Sequence, residues 1–357
     1  MEEITTSLLM GWHSLHNTRQ MPWKGEKDPY KIWLSEIILQ QTRVEQGLAY
    51  YEKFVSLYPT IQNLAAAKDE VVFKLWEGLG YYNRCKNLLA TARYITDELG
   101  GLFPSEYKDI VALKGIGPYT AAAIASFAFN KPYAVLDGNV FRVLSRLFAI
   151  DSPIDSTIGK HQFATLAQEV LDKEQPALYN QAIMDFGATV CKPVNPQCHA
   201  CYLQNACAAY SKVLVNKLPV KEKVLLKKNR WFYYFIIQHQ GTVWVQKRTT
   251  KDIWQNLYEF YLLEANEQQT WTDAAVQAWL YQQLGISNAQ LLQVSPLQKQ
   301  QLTHQQIRGQ FIRVNIEAVP ANMLEHQWQP IDSLSQLALP RFINQYLEAS
   351  VWQGDLF

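Results

Sequence analysis

Four of the five cysteines, Cys191, Cys198, Cys201 and Cys207, fall in one short segment with the spacing C-x6-C-x2-C-x5-C. An oxidised secreted scaffold spreads its cysteines more widely, so the clustering points to a metal site in a reducing compartment. Four thiolates this close can hold one tetrahedral zinc or one four-iron cluster. Zinc sites usually show two short knuckles, and here only Cys198 and Cys201 are so near. Pro193 and Pro196 stiffen the loop between Cys191 and Cys198, which suits a bulky group. The spacing therefore leans to iron–sulfur and leaves zinc open. Cys85 stands apart and reads as a half-buried thiol.

The chain has 357 residues, 48% hydrophobic and 18% charged, enough for two compact domains. Residues 1–210 carry helical patterns joined by short loops. Asp28-Pro29 is a helix start. The run from Tyr30 to about Tyr58 carries one long helix or a broken pair. A helix spans about Asn83 to Leu99, stopped by Gly100-Gly101, and Ser105 caps a short helix ending near Leu113. Residues 211–230 hold seven Lys and Arg against Glu222 alone, a local charge of +6, and read as a basic interdomain linker: either a phosphate-following segment or a solvated tether. From Trp231 the pattern changes to strands, at 231–238, 242–245 and 311–316, with a helix from Asp273 to Leu284 closed by Gly285. The second domain, 231–357, is thus α+β. The net charge is only +1, so nucleic-acid binding has to be argued locally. The N-terminus lacks a basic region and a long apolar run, and no stretch is long enough to span a bilayer. The expectation is a cytoplasmic, nucleoid-associated monomer with no membrane.

Three local patterns carry chemistry. Leu113-Lys114-Gly115-Ile116-Gly117-Pro118-Tyr119-Thr120 lies between two helical patterns. Its glycines permit a tight turn, and the turn feeds a helix N-terminus where free N–H groups bind phosphate without reading sequence. Glu36 sits in the apolar run Ile32-Trp33-Leu34-Ser35-Glu36-Ile37-Ile38-Leu39-Gln40-Gln41-Thr42. It is either a surface Glu on an amphipathic helix or a partly buried acid with a raised pKa. Asp137, before Gly138-Asn139-Val140, is a helix N-cap, and capping would keep its carboxylate fixed and ionised. Two carboxylates in different environments are what cleavage of a glycosidic bond requires: an acid for the leaving group and an anion for the sugar cation.

These residues resemble a known family. The cysteine spacing is similar to that of the endonuclease III and adenine-glycosylase branch of DNA repair enzymes, and the glycine string resembles the helix-hairpin-helix of base-excision glycosylases. Trp33 to Thr42 looks like the W-[LV]-S-E-[IV]-[MI]-L-Q-Q-T hallmark of the adenine DNA glycosylase (MutY) family. The resemblance implies a mainly α helix-hairpin-helix module with a 4Fe–4S cluster on Cys191, Cys198, Cys201 and Cys207, whose loop offers Lys192 to DNA. It implies Glu36 as the acid that protonates adenine (at N7) and Asp137 as the sugar-stabilising carboxylate, with Tyr119 and Asn139 orienting the sugar-side chemistry. Gln41 falls on the residue inserted beside the oxidised guanine, followed by Thr42. Leu79-Gly80-Tyr81-Tyr82 matches a loop whose leucine and first tyrosine wedge into the duplex. Lys114, Gly115 and Gly117 become backbone contacts. The adenine pocket maps onto Arg19, Met21, Trp23, Lys24 and Asp185; relatives with Glu at the last position make its contact here longer or water-mediated. Bifunctional relatives carry Lys where this chain has Tyr119, so the implied enzyme is monofunctional.

The family's C-terminal domain is Nudix-like and reads 8-oxoguanine. Asp252 to Phe260 resembles its L-W-x-x-L-[WY]-E-F segment, and Leu302-Thr303-His304 is the best match to its F-S-H turn, keeping a hydroxyl and losing the aromatic ring. An active Nudix hydrolase needs paired glutamates for Mg²⁺; Gln282 and Gln283 replace them, and Ala278 and Trp279 replace the Arg and Glu before them. The implied partner is double-stranded DNA with adenine opposite 8-oxoguanine or guanine. A bifunctional pyrimidine-damage glycosylase and a non-catalytic iron–sulfur DNA-binding or redox protein remain the rivals.

Overall fold

A computed structural model describes residues 2–222, 227–323 and 327–349. The chain divides into two compact units, one of Met1–Ala66 with Lys86–Val224, the other of Ala67–Cys85 with Leu225–Phe357.

The first unit is helical: α1 (Glu2–His16), α2 (Pro29–Leu39), α3 (Val44–Leu57), α4 (Ile61–Ala65), most of α6 (Asn83–Glu98), α7 (Tyr107–Val111), α8 (Pro118–Phe129), α9 (Gly138–Leu147), α10 (Thr157–Glu169), α11 (Pro176–Thr189) and α12 (Ala208–Ser211). Helix α2 starts on the Asp28 carboxylate, which accepts from the Tyr30 N–H. It is buried without a break from Ile32 to Ile38, as expected for a helix apolar all round. The Tyr30–Tyr58 run is a broken pair, because Gln41 turns to φ +56. Leu9, Trp12, Val140, Leu144, Phe163 and Phe186 are among the residues of the unit's core.

Among the described residues, the second unit holds α5 (Asp69–Trp76), α13 (Asp273–Leu284), α14 (Arg341–Ala349) and nine strands. The main sheet runs β6 (Ala289–Val294), β8 (Gln305–Ile316), β1 (Lys228–His239), β2 (Thr242–Trp244), β9 (Trp328–Pro330), with β5 (Tyr261–Ala265) on β1 and β7 (Gln298–Gln301) on β8. β3 (Gln246–Lys247) and β4 (Tyr258–Glu259) pair separately. β1 and β8 are parallel, Lys228 opposite Gln305 through Gln238 opposite Asn315. Gly309 sits where a Cβ would fall 1.7 Å from the Phe232 carbonyl oxygen, so only glycine lets these strands close. α13 packs Val276, Leu280 and Leu284 into the core, and Gly285 ends it at φ +70.

Three expectations need correction. Ser105 does not cap α7; Glu106 takes the N-cap position and makes no side-chain cap bond. The basic linker is shorter and less free than its charge suggested. Arg230 belongs to β1 and is buried, paired with Asp252 and Glu264 at 2.7 and 2.6 Å. Upstream, the Arg146 guanidinium donates to the carbonyls of Val215 and Leu218, and Ile154 N–H donates to Val220. Lys223, counted in the linker charge, lies outside the described residues. Cys85 is fully rather than half buried. No described helix is long and apolar enough to cross a membrane.

Candidate active site

Glu36 is the one charged side chain in the buried span of α2, and it faces a cavity of about 840 Å³. Burial lifts its carboxyl to about 7; a hydrogen bond from the Tyr119 hydroxyl opposes the rise, and the nearby Asp137 adds to it. The group therefore exchanges its proton near neutral pH, which suits a general acid. The amphipathic-surface reading of Glu36 is excluded by this burial. Tyr119 reaches the site because Pro118 opens α8, an Ala-rich helix packed on α2. Burial and the neighbouring Glu36 hold its phenol well above the usual range, so it stays a neutral donor.

Asp137 caps α9: one carboxylate oxygen accepts the backbone N–H groups of Asn139 and Val140, both at 2.8 Å, and the other accepts the Asn139 amide at 2.7 Å. The cap fixes the group as expected. It does not win the electrostatics. Burial raises the Asp137 carboxyl, outweighing these bonds and the charge of Arg142. Arg142 in turn donates to the Asn139 side chain at 2.8 Å, to the carbonyls of Gly138 (3.1 Å) and Gly187 (2.7 Å), and to the carbonyl of Cys191 (2.7 Å). One guanidinium thus spans the cap of α9 and the start of the cysteine loop.

Of the expected site residues, Arg19, Met21, Trp23, Lys24, Glu36, Gln41, Thr42, Tyr119, Asp137 and Asn139 all line this cavity. Asp185 does not. It is fully buried behind the wall, where it accepts directly from Asn17 (2.8 Å), Arg19 (2.9 Å) and Lys24 (3.1 Å). Burial pushes its carboxyl up, but these bonds and one from Gln181 together hold it below the ordinary value. The shorter side chain is met here by direct protein partners and supports two cavity cations. Sequence reasoning missed His13, Gln40, Leu178, Gln181 and Met184, which also line the cavity. Gln181 and Met184 carried a signal, since they share α11 with Asp185. His13 carried none.

The glycine hairpin precedes α8. Gly115 has φ +80, and a Cβ there would fall 2.6 Å from the Asn87 Cβ. Gly117 is the N-cap and offers no side-chain bond, so the first N–H groups of α8 lack a side-chain cap. Lys114 is exposed, and its carbonyl is held by the Thr91 hydroxyl at 2.8 Å.

The four clustered cysteines are free thiols that line one small apolar cavity with Arg146. Arg146, itself buried, donates to the Cys191 sulfur at 3.4 Å and to the Lys192 carbonyl at 2.8 Å, while Cys207 bonds the Arg146 carbonyl. Among the described residues, no three His, Cys, Asp or Glu side chains stand close enough to share a metal ion. The donor set is that of a sulfur-ligated group, with a cation beside one ligand to offset thiolate charge. Lys192 is half-buried.

In the second unit, Leu302-Thr303-His304 forms the tip between β7 and β8, closed by Leu302 N–H on the Gln305 carbonyl at 2.8 Å. Thr303 and His304 are exposed. The Thr303 hydroxyl bonds the hydroxyl of Tyr81, whose ring is 42% exposed at φ +49. Leu79 is buried, so of the two expected wedge residues only Tyr81 reaches the surface. Trp279, in the helix where a Nudix hydrolase places metal-binding acids, stacks on Phe235 at 3.8 Å and serves packing.

Residues 34–169 match the HhH-GPD superfamily of base excision DNA repair proteins, and residues 232–349 match the NUDIX domain. The adenine DNA glycosylase of Buchnera aphidicola subsp. Schizaphis graminum is 36% identical over 259 residues, covering 72% of this chain and 74% of that one. The human adenine DNA glycosylase is 41% identical over 214 residues, 57% of this chain and 39% of that one. Among solved structures, a thermostable thymine-DNA glycosylase aligns with a TM-score of 0.55 at 29% identity, over 59% of this chain and 97% of that one. A non-covalent endonuclease III–DNA complex aligns at 0.52 and 20% identity, over 60% and 98%, a likeness of fold. With a helix-hairpin-helix glycosylase module, a Nudix-like α+β domain and two carboxylates facing one cavity, the chain belongs to the adenine DNA glycosylase family.

Proposed function

We propose that this chain is a monofunctional adenine DNA glycosylase, which hydrolyses the N-glycosidic bond of adenine opposite 8-oxoguanine or guanine in duplex DNA and leaves an abasic site. Residues 1–210, apart from the segment 67–85, carry the catalytic part; the connection is the stretch from 211 up to β1 at Lys228, and the lesion-reading part runs from β1 onward. The protein acts as a cytoplasmic, nucleoid-associated monomer. The observation that carries the reading is the trio Glu36, Tyr119 and Asp137 on one cavity wall, with an acid whose pKa is lifted to about 7.

The chemistry follows from these groups. Phosphates dock on the N–H groups behind Gly115 and Gly117, with Lys114 and Lys192 as counter-charges. Gln41, Thr42 and Tyr81 take up the space left in the stack, and the adenine enters the cavity against Trp23 and Met21. Glu36 gives its proton to the purine ring, the bond from C1′ to N9 breaks, and neutral adenine leaves. Asp137 stabilises the positive sugar. Water then adds to C1′, its proton passing to Glu36, which restores the acid. Tyr119 has no amine to form a Schiff base. The cavity lysines are engaged: Lys24 on Asp185 and the Arg19 carbonyl, Lys27 on the Phe127 carbonyl at 3.0 Å. That supports monofunctional chemistry. Cys191, Cys198, Cys201 and Cys207 would hold a 4Fe–4S cluster, which would shape the loop that carries Lys192. Thr303 and His304 would read the base opposite adenine.

A single-turnover assay tests this. Duplexes carry one adenine opposite 8-oxoguanine, guanine or thymine, and products are resolved with and without hot alkali. Alkali-dependent breaks opposite 8-oxoguanine, fewer opposite guanine and none opposite thymine are expected. Breaks without alkali would remove the monofunctional assignment, and no breaks from a DNA-binding preparation would remove the enzyme assignment.

A further inference from the structure

His13 is a polar group on the cavity wall to which the proposed chemistry gives no role. It lies near the C-terminal end of α1 and lines the same cavity as Glu36, Trp23 and Met184. Its Nε2 is buried without a hydrogen-bond partner. Buried polar atoms are nearly always paired, and this one belongs to a side chain that lines the cavity, where a ligand group can complete it. Its surroundings keep the imidazole in a form that can accept. Burial and the neighbouring Lys24 ammonium hold it below the ordinary imidazole range, against the pull of Asp185. Lys24 and Arg19 are themselves committed to Asp185. At that corner of the cavity both cations are thus spent on a buried carboxylate, and His13 retains an unused nitrogen. Glu36, by contrast, donates.

We infer that His13 is a specificity-determining residue for the flipped base, its Nε2 accepting a hydrogen bond from the 6-amino group of adenine. The assignment rests on the adenine-excising function proposed above. It gives the cavity a test of the purine's 6-substituent, independent of whatever reads the opposite strand.

The test compares single-turnover excision of adenine and of unsubstituted purine, which lacks the 6-amino group, both opposite 8-oxoguanine, in the cluster-loaded full chain. His13→Phe removes the acceptor and keeps an aromatic ring of similar breadth; His13→Gln restores a polar acceptor. His13→Phe should lose about tenfold on adenine and little on purine, and His13→Gln should recover most of the loss. Equal losses on the two bases, or none on adenine, would overturn the role of His13 while the glycosylase function stood. A wild-type chain that excises neither base would overturn that function and this assignment together. Far-UV dichroism and cluster absorbance show that each variant is folded; should His13→Phe not fold, His13→Asn with the same two bases decides, a selective loss on adenine supporting the role and equal losses overturning it.

Discussion

At the residue scale, the site turns on one carboxyl held where a carboxyl is costly. Glu36→Gln keeps the shape and loses the proton that the proposed reaction delivers to adenine. Excision should fall by about 10²–10⁴-fold, while binding to mispaired duplex, read by fluorescence anisotropy, stays near wild type. The same substitution has a signature in stability. The folded carboxyl titrates near 7 and the unfolded one near 4.5, so folding takes up a proton. Stability from this group is fully present below pH 4.5 and is lost as pH rises through 7. Glu36→Gln does not titrate. Its stability relative to wild type should therefore rise between pH 4.5 and 8, by at most about 3 kcal/mol. A difference in unfolding free energy that stays flat over that range would mean that Glu36 is ionised throughout and is not the acid.

At the element scale, the hairpin before α8 is held by Gly115, whose φ of +80 and contact with Asn87 leave no room for a side chain. Gly115→Ala should weaken binding to matched and mismatched duplexes alike, by several fold, with the effect shrinking as salt rises. A loss confined to mispaired duplex would show that the turn reads bases instead of phosphates. Much of this layout was legible beforehand. Asp28-Pro29, the glycines of the hairpin, Asp137 and Gly285 mark element ends through local chemistry, which a sequence displays. What stayed hidden depends on distant partners. Arg230 looked like linker charge until β1 buried it against Asp252 and Glu264. Leu79 looked like a wedge until packing took it inward. His13 on α1 and Met184 on α11 meet at one cavity although 171 positions separate them, and no local pattern announces that. Asp137 shows the same limit in energy: its cap was readable, whereas the burial that outweighs the cap depends on the tertiary fold.

At the scale of the whole molecule, the proposed chemistry and the proposed reading of the opposite base belong to different units, and the division is not collinear with the sequence. The segment 67–85 belongs to the compact unit of the C-terminal domain. Helix α5 is tied there by Lys74 on the Leu337 carbonyl (2.9 Å), by the Leu339 N–H on Glu77 (2.8 Å) and by Lys247 on Glu70. Deleting the C-terminal domain would strip those partners from α5 as well as removing the proposed reader, so truncation confounds two effects. Point changes at the β7–β8 tip separate them. Thr303 and His304 are exposed, and replacing both with Ala should cost little stability, within about 0.5 kcal/mol for surface sites. If this turn reads the opposite base, the double substitution lowers the excision rate on adenine opposite 8-oxoguanine by about tenfold and leaves the slower rate opposite guanine nearly unchanged. The ratio of the two rates is then the readout, and it contracts. A ratio that does not move, in a variant that still binds duplex and excises adenine, would place lesion reading elsewhere in the second unit while leaving the Glu36 and Asp137 chemistry intact.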